Sequence, residues 1–427
     1  MAQNQFTDVS QLNGLFKAVY GDSIVNLIPE SSHLIKRVKF VGSDKETGDT
    51  YNQPVVLSNE HGVTYAVAGS SAFTLKDSIA LTMKNASLQG SQMVLRSSLS
   101  YDAAAKASNS KKAFVKGTEL LVENMLESIT KRLELQLLYG QSSGGIGNAD
   151  SSANDDTENT TITLTAASWA SGIWAGSENA NLDLYDGSSK KNSNAVLTVV
   201  SVDLDNKAVK VKGNATDIGV IDTLLAGGGY ANTAYFQWES AYGNEFAGID
   251  KVITNAGSLF GISAADYGLW KGNSHSAGSA DLTMAKLLSG ISKAVERGLN
   301  EGVTTYLNPV TWSKLNSDMA ALRRLDSSYN KSEGKQGSES IKYYGQNGEV
   351  EIVSHNMVKQ GEAFVLPLKK CRRIGSQEIS FKRPGSNDQM FRELADKAGY
   401  ELRVYTDQAF FCETPARCVK ITGIVNS

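Results

Sequence analysis

The sequence predicts an α+β fold carrying an inserted small all-β domain, and three observations predict it. From Lys111 to Leu138 apolar residues hold one continuous helical face. A Ser-, Gly-, Asn- and Asp-rich stretch at 141–160 then opens onto short strand-like runs that continue to about residue 240. After Gly248 helical and strand patterns mix, and the chain closes on strands. At 427 residues it is too long for one ordinary core, so two or three domains are expected.

The elements follow in order. Leu12, Leu15, Phe16, Val19 and Tyr20 fall at helical spacing, so residues 9–21 fit a short amphipathic helix, either an arm or an ordinary packing helix. Leu34 to Val41 is rich in β-branched and basic residues. A polar turn, Gly42 to Asp49, leads to a return strand, Tyr51 to Leu57, with Pro54 placing it at an edge. Residues 58–76 are small and polar, with no core face. Ile79–Met83 and Met93–Arg96 read as strands.

In the long helix Val115, Val122, Leu126, Ile129, Leu133 and Leu137 form the apolar row, a rod of roughly 40 Å that ends at Tyr139-Gly140. The block after the linker offers Thr161–Leu164, Leu182–Leu184, Ala195–Val200 and Val209–Val211, with a turn at Asp205-Asn206: a sandwich or barrel. Leu282 to Leu299 is an amphipathic helix. Val303–Leu307 is a buried strand ending at Asn308-Pro309, and a second helix covers Thr311 to Leu325. Residues 326–347 read as a mobile polar loop, followed by strands at Val350–Val353, Phe364–Leu366 and within Tyr400–Val425.

Composition narrows the function. Hydrophobic content of 41% suffices for a core, and 20% charged residues are too few for a disordered chain. A net charge of -3 gives no basic field for gripping nucleic acid. Cys371, Cys412 and Cys418 are odd in number and lack a CxxC pair, which argues against a disulfide framework or zinc site and for a reducing cytoplasm. The first residues carry no signal-peptide pattern, and no apolar run reaches membrane-spanning length.

Local catalytic chemistry is missing. His33, His61, His275 and His355 have no ligand partner at helical spacing. Gly144–Gly147 and Gly227–Gly229 lack the ending of a phosphate loop and read as hinges or turns. Asp203-Leu204-Asp205 starts like a calcium loop but has Ala208 where the sharp turn needs glycine. There is no Gly-x-Ser-x-Gly elbow. No catalytic residue, metal or cofactor is expected. The informative charges are Glu119, Glu123 and Glu127, a stripe at four-residue spacing that is mildly unfavourable in isolation and is relieved at one step by Lys131. It is either a solvated face or a docking stripe for basic residues of another copy, such as Lys36, Arg37 or Lys39.

The order of parts, with Glu134–Gly140, Glu245–Asp250, Leu307–Leu315 and Gly399–Tyr405, resembles the Hong Kong 97 capsid fold of tailed-phage major capsid proteins. The resemblance covers most of the chain outside 148–240. It implies an N-terminal arm at 1–30 and an extended loop at 31–75 that laps a neighbour. It implies a peripheral domain at 76–147 with a spine helix at 111–139, an inserted β domain at 148–240, an axial domain at 241–375 and peripheral return strands at 376–427. It further implies self-assembly into pentamers and hexamers of an icosahedral shell, made in the bacterial cytoplasm and found in the virion. A separate scaffolding protein, a portal and a decoration protein would be its partners, with packaged DNA near but not specifically bound. An encapsulin-type compartment, a β-rich tail or surface protein and a soluble hydrolase are the alternatives. The long helix and the Asn308-Pro309 unit speak against the tail protein, and the lack of a residue cluster against the hydrolase.

Overall fold

A computed structural model describes residues 33–42, 50–101, 111–226, 233–317, 340–346, 348–381 and 392–426, with backbone alone at 111–120 and 340–341. The expected helix at 9–21, the turn residues 43–49, Gly227–Gly229 and most of 326–347 lie outside the described residues.

The long helix runs Lys111–Tyr139. Ile129, Leu133 and Leu137 are buried as the apolar row requires, joined by Met125, while Val122 and Leu126 are half-buried. From Leu133 to Gly140 every residue is buried, so the last two turns are enclosed on all sides. Glycine is needed where the helix ends. A Cβ on Gly140 would stand 2.3 Å from the Phe246 carbonyl oxygen, and one on Gly248 2.6 Å from that of Gln136. The two strands of chain cross there, with the Gly248 N–H donating to the Gly140 carbonyl at 2.9 Å.

The strand Gly399–Cys412 organises a five-stranded sheet. It pairs antiparallel with Ser91–Ser100 and with Cys371–Ser380. Its Leu402 and Val404 pack on Met125 and Ile129 of the long helix. Lys39–Gly42 extends this sheet in parallel beside Arg372–Gly375.

That pairing corrects the expected hairpin: Leu34–Val41 and Tyr51–Leu57 do not pair. His33–Arg37 is a short helix, and Tyr51–Ser58 pairs instead with Thr82–Leu88. The reason lies in the spacing of Leu34 and Val38, which are four apart and both buried. A strand at 34–40 would have put Lys36 on the face shared by Leu34, Val38 and Phe40. The strand expected at Ile79–Met83 begins only at Thr82.

Residues 147–238 build a seven-stranded antiparallel sheet. Ala234–Trp238 pairs with both Gly147–Asn154 and Asn181–Asp186, which closes six of the strands into a barrel. The block is not all-β. Ala215–Leu225 is a helix, capped by the Asn214 side chain accepting from the Thr216 N–H at 2.9 Å, with Ile218, Ile221 and Leu225 buried. Nor is its core separate. Trp169, Trp174, Leu184 and Phe236 belong to one apolar cluster with Leu133, Leu137 and Leu138 of the long helix.

A six-stranded sheet completes the fold in the order Asn273–Ala280, Val419–Ile424, Ala363–Leu366, Val303–Leu307, Glu349–Ser354 and Ser340–Tyr344. The last strand falls within the stretch expected to be a mobile loop. The helix Met284–Glu296 packs on this sheet through Leu287, Ile291 and Ala294, and Thr283 caps it. Pro309–Ser317 is the described part of the second helix.

Candidate assembly interface

The hairpin Tyr51–Ser58/Thr82–Leu88 rests on the body along one face, with Tyr51, Val55 and Leu57 half-buried against the main apolar cluster. Ala86 and Leu88 are buried, the Ser87 N–H donates to the Phe260 carbonyl at 2.9 Å, and Lys84 Nζ lies 5.1 Å from the Tyr267 ring. Between its strands every residue from Asn59 to Leu81 except Thr64 is exposed. These include Tyr65 at 88%, Val67 at 82% and Leu75 at 74%, with Val63, Phe73 and Ile79 also exposed. The segment is ordered by its own bonds: Lys76 N–H donates to Thr64 Oγ1 at 2.9 Å, and His61 N–H to the Ile79 carbonyl at 3.1 Å. These apolar side chains are therefore left in solvent and add nothing to the core.

Beside the short helix His33–Arg37, one carboxylate organises three segments. Glu134 of the long helix accepts from the Leu34 N–H at 2.5 Å and the Ile35 N–H at 2.9 Å. It also lies 2.8 Å from His355 Nε2. The Met357 N–H donates to His355 Nδ1 at 3.1 Å, which leaves the ring proton on Nε2, donated to Glu134. A second buried set lies at the helix end. Lys420 Nζ is 2.5 Å from Asp250 and 2.7 Å from Glu362, and Ser142 donates to Asp250. Burial alone would lower the Lys420 ammonium; Glu362 and Asp250 outweigh it and hold it at about 12. Lys359 donates to the Gly145 carbonyl at 2.9 Å and sits over the Tyr139 ring. The buried charges find their partners within the fold, Glu134 at His355 and Lys420 at Asp250 and Glu362. Among the described residues no group of three or more His, Cys, Asp or Glu is arranged to hold a metal ion, and no helix is long and apolar enough to cross a membrane.

The residues singled out from the sequence are dispersed. Arg37 is engaged within its own chain, in a bidentate pair with Glu351 at 2.7 and 3.0 Å. Lys36 is exposed on the short helix, and Lys39 is exposed on the strand beside Arg372. Glu123 is exposed and Glu127 half-buried; the Glu119 side chain lies outside the described residues. Lys131 donates to the Ala175 carbonyl. The basic trio therefore sits on the body, not on a projecting loop.

No protein-family model matches the sequence, and no curated protein matches it significantly. Solved structures do match. The capsid asymmetric unit of cyanophage A-1(L) aligns over 98% of this chain and 99% of its own, at 10% identity and a TM-score of 0.55. The capsid of the native GTA particle aligns over 96% of each chain, at 5% identity and a TM-score of 0.52. The chain has the fold of tailed-phage major capsid proteins. The holo-SrpI encapsulin of Synechococcus elongatus also aligns, over 99% of this chain and 97% of its own, at 8% identity; its TM-score of 0.42 is too low to argue from.

Within this capsid fold, the residues that sequence reasoning missed are Glu134 and the exposed apolar tip. Glu134 had a signal: it is an acid in Leu133-Glu134-Leu135-Gln136-Leu137, where apolar residues occur on every side of the helix. Tyr65, Val67 and Leu75 had only a weak one, isolated large side chains in a small polar segment.

Proposed function

We propose that the chain is the major capsid protein of a tailed bacteriophage, a structural, non-enzymatic subunit. It assembles into pentamers and hexamers of an icosahedral head that encloses double-stranded DNA. The observation that carries this reading is the hairpin tip, with Tyr65, Val67 and Leu75 held in solvent. Burying a side chain of this kind is worth about 1.5–3 kcal/mol, and a second copy of the chain is the cover a closed shell supplies. Under this reading the lapping loop is the segment from Tyr51 to Leu88 in place of 31–75. Lys111–Tyr139 is the spine, the six-stranded sheet is axial, and 147–238 is an insertion on the peripheral region. A scaffolding protein, portal and decoration protein are the proposed partners, and the virion the proposed location. The stripe of Glu119, Glu123 and Glu127 is proposed to face basic residues of a neighbouring copy. If Glu123→Lys leaves assembly intact, that contact is discarded; rescue of a defect by Lys39→Glu supports it.

The test is expression of the full chain, followed by sedimentation and negative-stain electron microscopy. Capsomers or closed shells are expected. A monodisperse monomer at every concentration, with or without a co-expressed scaffolding protein, overturns the reading.

A further inference from the structure

All three cysteines of the chain meet at one buried point. Cys371 and Cys412 stand opposite one another in the antiparallel pairing of their strands, and Cys412 Sγ lies 3.5 Å from Cys418 Sγ. Simple packing does not ask for this, since a buried thiol behaves as a small apolar group that Ala or Val could replace. The position is also particular. Cys412 is the last residue of Gly399–Cys412 in the five-stranded sheet, and Cys418 directly precedes Val419–Ile424 in the six-stranded sheet. The five residues between them are the only link from one strand to the next. Glu413 ties this passage to Lys370 and Arg372, and Arg417 lies 3.4 Å from Glu301. With both ends anchored, the two thiols are kept within van der Waals reach.

We propose that Cys412 and Cys418 are a latent disulfide site, stapling the five-stranded sheet to the six-stranded sheet once the protein leaves a reducing compartment, with Cys371 as a third thiol able to exchange into the bond. Cys412 is the attacking sulfur. It accepts from the Cys371 thiol, the Cys418 thiol and the Thr414 N–H, which together hold it well below the usual thiol range. Donation to Cys412, and then burial, push Cys371 and Cys418 up. With hydrogen peroxide as the two-electron oxidant, the Cys412 thiolate attacks one oxygen and the O–O bond breaks, giving a sulfenic acid and hydroxide. Cys418 sulfur then attacks Cys412 Sγ and the sulfenic oxygen leaves as water. In sum two thiols and one peroxide give one disulfide and two waters. Exchange needs no oxidant: Cys371 thiolate attacks Cys412 Sγ and expels Cys418 thiolate.

The experiment treats reduced full-length protein with hydrogen peroxide, quenches, denatures in guanidinium with N-ethylmaleimide, and measures intact mass and tryptic peptides. Trypsin cleaves after Lys370, Arg403, Arg417 and Lys420, so the three cysteines fall on separate peptides. One maleimide adduct per chain in place of three is expected, with peptide 404–417 linked to 418–420. Cys371→Ser is expected to keep that link, and Cys418→Ser to divert it to Cys371–Cys412. Amide hydrogen exchange over 413–417 is expected to slow on oxidation. Three adducts after peroxide, a link found only between chains, or unchanged exchange over 413–417 in the wild-type chain would each overturn the proposal, whether or not the variants fold.

Discussion

His355 donates its Nε2 proton to Glu134 across 2.8 Å, and both side chains are enclosed, at 1% and 0% exposure. The same carboxylate takes the Leu34 and Ile35 N–H groups, so one acid on the long helix fixes both the short helix His33–Arg37 and the loop that follows the strand Glu349–Ser354.

Glu134→Ala leaves two backbone donors and the imidazole N–H buried without an acceptor. A loss of about 3–5 kcal/mol is expected, the range for breaking a buried pair from one side. Glu134→Gln keeps the shape and one acceptor oxygen, and is expected to lose about half of that. Urea unfolding of the unassembled chain measures both. A loss below about 1 kcal/mol for the alanine variant would contradict the joint described.

The hairpin tip behaves in the opposite way. Replacing Tyr65, Val67 and Leu75 together by Ser removes apolar surface that the body never covers. Stability of the unassembled chain should change by less than about 0.5 kcal/mol. The concentration at which assembly begins should rise by about two orders of magnitude or more. Urea unfolding and sedimentation velocity separate the two effects; assembly at the wild-type threshold would remove the tip from the interface.

Two glycines make the crossing at the end of the long helix possible. Gly140→Ala or Gly248→Ala forces a Cβ against backbone atoms that cannot rotate away, and a loss of about 3 kcal/mol or more is expected in soluble folded protein. Gly219 is the control: it lies inside the helix Ala215–Leu225 with nothing within 4 Å of its added Cβ. Gly219→Ala should stabilise by about 0.5–1 kcal/mol, read as a rise in melting temperature.

Glu245 gives a pH dependence. Burial raises its carboxyl to about 7, against the pull of the Gln141 N–H and Arg132. Because the folded value lies above the unfolded one, its contribution is complete below about pH 4.5 and is lost as pH rises through 7. Glu245→Gln should match wild type near pH 5 and exceed it near pH 8. The expected excess is about 1–2 kcal/mol, roughly half of what 1.36 kcal/mol per unit gives, since the residue is only half-buried. Denaturation at the two pH values measures it; a gap of the same size at both would exclude Glu245 as the source.

What the sequence disclosed depended on how local the signal was. The long helix, Val303–Leu307 and the strands of 159–212 were legible because their periodicity is complete within each segment. The pairing of Tyr51–Ser58 was not, because its partner lies past an exposed segment that carries no pattern of its own. The helix Ala215–Leu225 was hidden among strands, although Asn214 and the spacing of Ile218, Ile221 and Leu225 announce it. Of the candidate interface charges, Arg37 has a partner in its own chain, Glu351, which no local pattern could announce because the two are far apart in sequence.

The barrel of 147–238 enters and leaves the body at one place, where the Ile146 N–H meets the Phe236 carbonyl at 2.9 Å, yet it shares its apolar interior with the long helix. Excising it would lay bare Leu133 and Leu137, which share its apolar cluster, and is expected to yield an insoluble chain. Added sequence belongs instead at the turn Asp203–Asn206, where Asp203 braces Asp205 and Asn206 and Leu204 already faces water: there the backbone can be lengthened without touching the shared interior.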